Sequence, residues 1–262
     1  MLKAYDEQLR TDAETAGAVS VTRHGPLRLA TFGGGRGFIS YQDLGGADAA
    51  GVEELVAAAV AHFDADQAIE EVEWKARGHD HAPGLHDTLL RHGFVPDEPE
   101  SIMVGEAALL AVEVPLPDGI GLRAITSEQD VRAASIVQDG VFGSPPSEAR
   151  VESQLRGIAA GESEMWVAEA DGEIVSAGRI DMVPGTEFAG IWGGATLEKW
   201  RGRGIYRALT AARARTAIAR GKRYIHSDST EFSRPILERS GLAKVGTTTP
   251  YVRRSPRRSG SD

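Results

Sequence analysis

The stretch WRGRGIYRAL, residues 200–209, sets Gly202 and Gly204 among Arg201, Arg203 and Arg207, directly before a run with helical character. Glycine is a poor helix former and like charges repel, so the arrangement is costly unless something negative sits against it. A strand that runs through a glycine turn into a helix aims backbone N–H groups and the positive helix end at one point, which makes an anion site. Glycines there let the backbone approach phosphate oxygens, and arginines add charge-assisted donors. The chemistry implied is the docking of a polyphosphate; taken alone, the loop fits a tight helix entry with surface arginines equally well. No G-x-x-x-x-G-K-[ST] occurs, which excludes a P-loop. The other glycine run, FGGGRGF from Phe32, precedes a strand pattern rather than a helix and is expected to be a hairpin loop.

Two further groups of residues could do chemistry. His79, His81, His86 and His92 fall within GHDHAPGLHDTLLRH. His86 and His92 are about 240° apart around the helix expected there, so they do not share a face. With no cysteine and no His-x3-His, no metal site is expected. Glu187 opens one expected strand and Asp228 ends another, with His226 two residues earlier; each carboxylate is a candidate base, set against a solvated or capping role.

The elements that must position these residues parse most clearly in the C-terminal half. GLRAI is a strand, Thr126 and Gln129 have capping-box spacing for a helix reaching Phe142, and a second helix covers 148–160. EMWVAEA and EIVSAGRID are strands joined at Asp171-Gly172, a strong hairpin signal, and FAGIWGGAT is another. A helix over 205–220 stops at Gly221. RYIHSDS is a strand, and 233–240 is a short helix with Ser233 as cap, Pro235 in its first turn and Gly241 as stop. LAKVGTTTPYV closes the sheet. In the N-terminal half, 27–32 and 38–44 are strand-like, residues 52–63 carry a helical apolar face, and IEEVEWKA, LHDTLLRHG and a segment ending SIMV read strand, helix, strand. Setting Gly93 on Gly241 puts Leu89 on Leu237 and Phe94 on Leu242, which suggests two copies of one fold. The Pro115, Pro117, Asp118, Gly119 cluster marks a boundary. The domains expected are 1–114, 115–252 and a disordered basic tail, 253–262.

Composition bounds the rest. A chain of 262 residues, 41% hydrophobic and 26% charged, is long enough for one large domain or two small ones and belongs to the ordinary globular class. No apolar run approaches a membrane span, and the N-terminus lacks a signal-peptide centre. A net charge of −9 argues against nucleic-acid binding, and the absence of cysteine fits a cytoplasmic protein.

The order of elements — three-stranded meander, glycine loop, helix, strand, short helix — resembles the GNAT superfamily of acetyl-CoA-dependent N-acetyltransferases over residues 120–252. In that family an R/Q-x-x-G-x-G/A loop holds the pyrophosphate of coenzyme A. Arg201, Gly202, Arg203, Gly204 and Ile205 match it, and Tyr206 replaces its last small residue. The resemblance implies an α/β fold of two GNAT-like domains, each a mostly antiparallel mixed sheet flanked by helices. It places Ala195, Thr196 and Leu197 at the pantetheine arm, with Ala195 or a neighbour as oxyanion donor, and Ser233 at the loop that closes on the cofactor. Acetyl transfer from acetyl-CoA to a primary amine of a small molecule or protein is the reaction implied, with Glu187, Asp228 and Tyr206 as catalytic candidates. Leu237 stands where the family often has a proton-donating tyrosine, and Tyr206 and Tyr251 are the candidates for that role, each set against a packed aromatic. The N-terminal half has LGGADAAGVEEL at the phosphate-loop position, without arginine, and is expected to be a degenerate copy that could cover the sheet, shape the acceptor pocket or mediate homodimerisation. A non-catalytic acyl-CoA-binding or assembly module, and a general polyphosphate binder, are the other classes consistent with these residues.

Overall fold

The computed structural model describes residues 1–255, in two compact units. One is formed by Leu2–Ser101 together with the chain from Gly246 onward; the other spans Ile102–Val245.

The N-terminal unit begins with α1 (Leu2–Gln8) and a single 3-10 turn, Asp12–Thr15, followed by β1 (Ser20–His24). Sequence patterning gave no sign of these three. Then come β2 (Leu27–Phe32), β3 (Arg36–Ser40), α2 (Ala49–Asp64), β4 (Glu71–Arg77), α3 (Leu85–Arg91) and the two-residue β5 (Val95–Pro96). Val52, Val56, Ala59 and Phe63 recur at helical spacing along α2 and are all buried on the sheet.

The second unit contains β6 (Glu100–Glu106), α4 (Ala107–Leu110), β7 (Ile120–Ile125), α5 (Glu128–Phe142), α6 (Glu148–Ala159), β8 (Ser163–Ala170), β9 (Glu173–Met182), β10 (Phe188–Thr196), α7 (Ile205–Ala219), β11 (Tyr224–Ser229) and α8 (Arg234–Ser240). Its sheet runs β6-β11-β10-β9-β8-β7. Met165, Val167 and Ala177 pack under α5 and α6. Ile180, Ala189, Ile191 and Ile225 face the other way, against α7 and α8. The β8–β9 turn carries Asp171 at φ 51° and Gly172 at φ 81°, the paired left-handed residues of the expected hairpin. The cap of α5 is Ser127, whose hydroxyl accepts the Asp130 N–H at 3.1 Å, rather than Thr126. The one-residue shift leaves the helix end at Phe142 unchanged, with Gly143 as its left-handed stop.

The last strand, β12 (Ala243–Arg254), follows α8 in the chain, yet from Gly246 it belongs to the N-terminal unit, where Thr248–Arg254 pair antiparallel with β4. That unit's sheet runs β1-β2-β3-β4-β12 with β5 on β12. Conversely β6, which follows α3, falls mostly in the second unit beside β11. The expected limits of 1–114 and 115–252 assign each closing strand to the half that precedes it, and the fold exchanges them. Arg253 and Arg254 are strand residues rather than tail; Arg253 forks onto Asp64 at 2.7 and 2.9 Å. Ser255 N–H donates to Glu70 O at 2.9 Å, and residues 256–262 of the expected tail lie outside the described residues.

The internal repeat is visible in hydrogen bonds. Phe94 N–H donates to Leu89 O at 3.0 Å across Gly93, and Leu242 N–H donates to Leu237 O at 3.0 Å across Gly241. Both glycines are left-handed, and all four apolar partners are buried. These are the same glycine-stopped helix ends, at the spacing the sequence alignment gives.

Candidate active site

β10 ends at Thr196, and the chain crosses a 3-10 turn, Glu198–Trp200, to the glycine loop. Arg201 turns back so that its Nε donates to Thr196 O at 3.1 Å, and the Arg203 guanidinium lies 4.8 Å from the centre of the Trp200 ring. Gly202 and Gly204 sit at φ 74° and 79°, a left-handed backbone that side chains with a Cβ rarely adopt. Gly204 is the residue before the first turn of α7 and brings no capping side chain, so the first N–H groups of a fifteen-residue helix lack the usual internal acceptor. Ile205, packed with Ala168, Ala170 and Val175, pins the helix start to the sheet while Arg201, Gly202, Arg203 and Gly204 stay exposed. Positive charge, free N–H groups and the helix dipole therefore converge on the solvent side of one loop.

Beside that loop the sheet opens. β10 and β11 pair in parallel from Phe188–Tyr224 to Gly190–His226, and the Ser227 hydroxyl donates to Ile191 O at 2.9 Å. β10 then continues to Thr196 along β9 alone, so its other edge presents backbone groups that a ligand strand could pair with. The β9–β10 register shifts between Trp192 and Ala195, placing a bulge at Gly193-Gly194. Gln138 of α5, itself buried, donates to Gly193 O at 2.6 Å and holds the bulge from one face. Tyr206 covers it from the other: a Cβ on Gly194 would lie 2.6 Å from the tyrosine ring and 2.8 Å from its hydroxyl. Only glycine lets the ring lie there. The buried Ser176 hydroxyl donates to Ala195 O at 2.7 Å and meets Thr196 Oγ1 at 2.8 Å, fixing the strand beyond the bulge.

The structure thus brings together Ala195, Thr196, Leu197, Arg201, Gly202, Arg203, Gly204, Ile205 and Tyr206. Asp228 and His226 share one face of β11, and the His226 ring stands edge-on to Trp192 at 5.3 Å, next to the bulge. Glu187 is not drawn in; it precedes β10 at the end remote from the bulge, about 26 Å of strand from Ala195 at about 3.3 Å per residue. Ser233 precedes α8, but its hydroxyl turns back to Thr230 O at 3.3 Å and does not cap the helix, because its own backbone is already helical. Leu237 is core. Tyr251 belongs to the N-terminal unit's core, with its hydroxyl 2.9 Å from His86 Nδ1. Two of the other loop histidines have carboxylate partners: His79 meets Asp6 at 3.0 Å and His92 meets Glu53 at 2.6 Å. Sequence reasoning missed Gln138 and the bulge it holds; the doubled glycine inside FAGIWGGAT was the available signal.

Residues 135–241 match the acetyltransferase (GNAT) family. The matched stretch lies within the C-terminal unit. Solved structures extend the likeness of fold over both units. A GCN5-related N-acetyltransferase from Kribbella flavida shares 15% identity at a TM-score of 0.69, covering 96% of each chain. A functionally unknown conserved protein from Staphylococcus epidermidis shares 14% identity at 0.69, covering 94% of this chain and 98% of its own. A tandem GNAT protein from the clavulanic acid biosynthesis pathway shares 15% identity at 0.63, covering 90% and 79%. No curated protein matches the chain in sequence. At these identities the structural likeness establishes two GNAT-like folds, and the family match supports acyl transfer in general. Among the described residues, no helix is long and apolar enough to cross a membrane.

Proposed function

We propose that the chain transfers an acetyl group from acetyl-CoA to a primary amine by direct attack on the thioester. The observation that carries this reading is the conjunction of an uncapped α7, two left-handed glycines and an edge of β10 that, among the described residues, has no partner strand beyond Gly190. Backbone N–H groups from Gly202 to Tyr206, with Arg201 and Arg203, suit a pyrophosphate. The edge from Ile191 to Leu197 suits the amides of a pantetheine arm, and Ala195 or a neighbour the oxyanion. Bound there, acetyl-CoA supplies an activated acyl carbon. The protein's part is to hold that carbon against the amine, to take the amine proton at Asp228, and to return a proton to sulfur from the Tyr206 hydroxyl.

One observation favours a binding module without turnover: at 1% exposure Leu237 lies in the core, so α8 offers no phenol in place of the family's tyrosine. Calorimetry with acetyl-CoA on the wild type, Gly204→Asp and Gly204→Asn tests the cofactor site, since Asn adopts the left-handed backbone without adding charge. Binding retained by Asn and lost by Asp supports the loop; no binding by the folded wild type overturns the reading. Release of free thiol in the presence of a panel of amines then separates an enzyme from a binding module.

A further inference from the structure

Arg213 of α7 is 1% exposed. Its Nε donates to Leu209 O at 3.3 Å, Nη1 to Arg179 O at 3.2 Å and Nη2 to Thr210 Oγ1 at 3.2 Å. Among the described residues no carboxylate pairs with it. The buried arginines of the N-terminal unit differ: Arg10 meets Asp80 at 2.7 Å, Arg28 meets Asp12 at 2.9 Å, and Arg77 bonds to Glu14. A guanidinium keeps its proton inside proteins, and a buried charge without a counter-charge is expensive. Burial pulls the Arg213 pKa below the usual arginine value.

The fold makes room for this charge deliberately. Opposite it stands Gly178 of β9, where a Cβ would lie 2.8 Å from Nη1 and 2.9 Å from Cζ. The guanidinium carbon is 6.0 Å from the centre of the Tyr206 ring, and that ring covers the bulge at Gly194. The groups around it leave the charge uncompensated. From α7 come Tyr206 and Thr210, and from β9 the backbone of Arg179, whose own guanidinium pairs with Asp181 at 2.9 Å. Glu164 of β8 reaches α7 at Thr216, at 2.7 Å, and also holds Trp166 Nε1 at 2.5 Å.

We propose that Arg213 is the buried counter-charge for the anion that forms at the β10 bulge when a thioester is cleaved there. The inference rests on the acyl-transfer reading. As the amine nitrogen forms its bond to the carbonyl carbon, the carbon–sulfur bond breaks and its electron pair stays on sulfur. Sulfur takes the proton of Tyr206, Asp228 takes the proton released by the amine, and solvent carries that proton back to the phenol. Throughout, the negative charge, on sulfur or on the tyrosine oxygen, stays beside the guanidinium. Arg213 touches no substrate; it is a positioning residue that acts through Tyr206 and through its field, which is strong because the site is desolvated.

The test uses the full chain and coenzyme A as probe. Thiolate absorbance of the bound thiol, titrated with pH, reads the anion without turnover. The thiol is expected to ionise on the order of one pH unit lower on wild type than on Arg213→Met, a tenfold difference in thiolate population. Arg213→Lys restores most of that shift, and Gly178→Ala, which displaces the guanidinium without removing it, loses part of it. In acetyl transfer, kcat of Arg213→Met falls roughly tenfold while KM for acetyl-CoA stays within about twofold. A purely structural brace would raise KM and leave the titration unmoved. Equal titration curves with coenzyme A bound overturn the inference; coenzyme A that does not bind wild type overturns the acetyl-CoA reading instead. Should Arg213→Met fail to fold, an unshifted Gly178→Ala decides against the inference.

Discussion

Each unit contains a fork between two parallel strands, and the forks are finished in opposite ways. In the N-terminal unit β3 and β4 pair from Arg36–Glu71 to Ile39–Trp74, as β10 and β11 do in the other. Both forks follow an antiparallel hairpin and precede a glycine-stopped helix. Past Trp74, however, the gap is bridged by the chain itself. Arg10 donates to Tyr41 O, just after β3, at 3.3 Å, and pairs with Asp80, just after β4, at 2.7 Å. The helix that follows differs in the same sense. Asp48 caps α2, accepting the Gly51 N–H at 2.9 Å, where α7 has the bare Gly204. One backbone plan thus yields a fork whose polar groups are satisfied internally and another that, among the described residues, leaves helix N–H groups uncapped, a strand edge without a partner strand and a buried cation without a carboxylate. On the proposed function, the contrast separates a copy that is closed on itself from one that is open to a ligand.

The comparison breaks most visibly in binding stoichiometry. One acetyl-CoA per chain is expected by calorimetry, and Gly204→Asp should weaken it by roughly 100-fold or more, because the carboxylate lies where phosphate charge would. Two sites in the wild type, or a residual site of wild-type affinity in the variant, would mean that the N-terminal fork also binds.

The second-largest effect belongs to the closed fork. Arg10→Met removes the cation and leaves Asp80, only 6% exposed at its side chain, without it. Destabilisation of about 3 kcal/mol is expected, since breaking a buried pair strands the remaining charge. Chemical denaturation with amide exchange in β3 and β4 measures it. Affinity for acetyl-CoA should stay within about twofold. A large loss of affinity would show that the closed fork matters to the open one.

How much of this contrast was legible in the sequence follows from how local each feature is. The glycine loop, the hairpin at Asp171-Gly172 and the matched ends at Gly93 and Gly241 depend on backbone conformations that nearby residues dictate, and all were readable. The closing of the N-terminal fork depends on Arg10 meeting Asp80, which are distant in the chain, and on α1, whose seven residues bury only Tyr5. Arg213 was invisible for a related reason. In YRALTAARARTAIA it looks like a solvated arginine, and only the packing of α7 on Gly178 shows that it points inward. The exchange of β6 and β12 could not be read either, because both strands fit either sheet by pattern alone. The remoteness of Glu187 was legible, because it opens the strand whose other end leads into the glycine loop.

The cap gives a smaller effect. Asp48→Ala is expected to cost about 1 kcal/mol in the N-terminal unit, as the Gly51 N–H loses its acceptor. Asp48→Asn should retain most of the stability. Unfolding midpoints of the three proteins settle it; equal midpoints for Asp48→Ala and wild type would mean that water replaces the cap and that α2 is no more finished than α7.

The smallest effect is a pH dependence confined to the N-terminal unit. There Glu53 of α2 accepts from Arg91 at 2.5 Å and from His92 at 2.6 Å, tying α2 to α3. These hydrogen bonds, Arg91's first, hold the Glu53 carboxyl down at about 2, against an ordinary value of 4.5. A depressed carboxyl contributes stability that is present above pH 4.5 and lost as pH falls towards 2, because the unfolded chain takes up the proton first. The gap in melting temperature between wild type and Glu53→Gln should therefore be widest near neutral pH and close across that interval. Glu53 is exposed, so the gap should also shrink with added salt, which screens the pair. A gap that persists unchanged to pH 2 would assign the effect to side-chain packing rather than charge. α2 and α3 would then be held together as α7 and α8 are, by apolar contact, and this difference between the units would disappear.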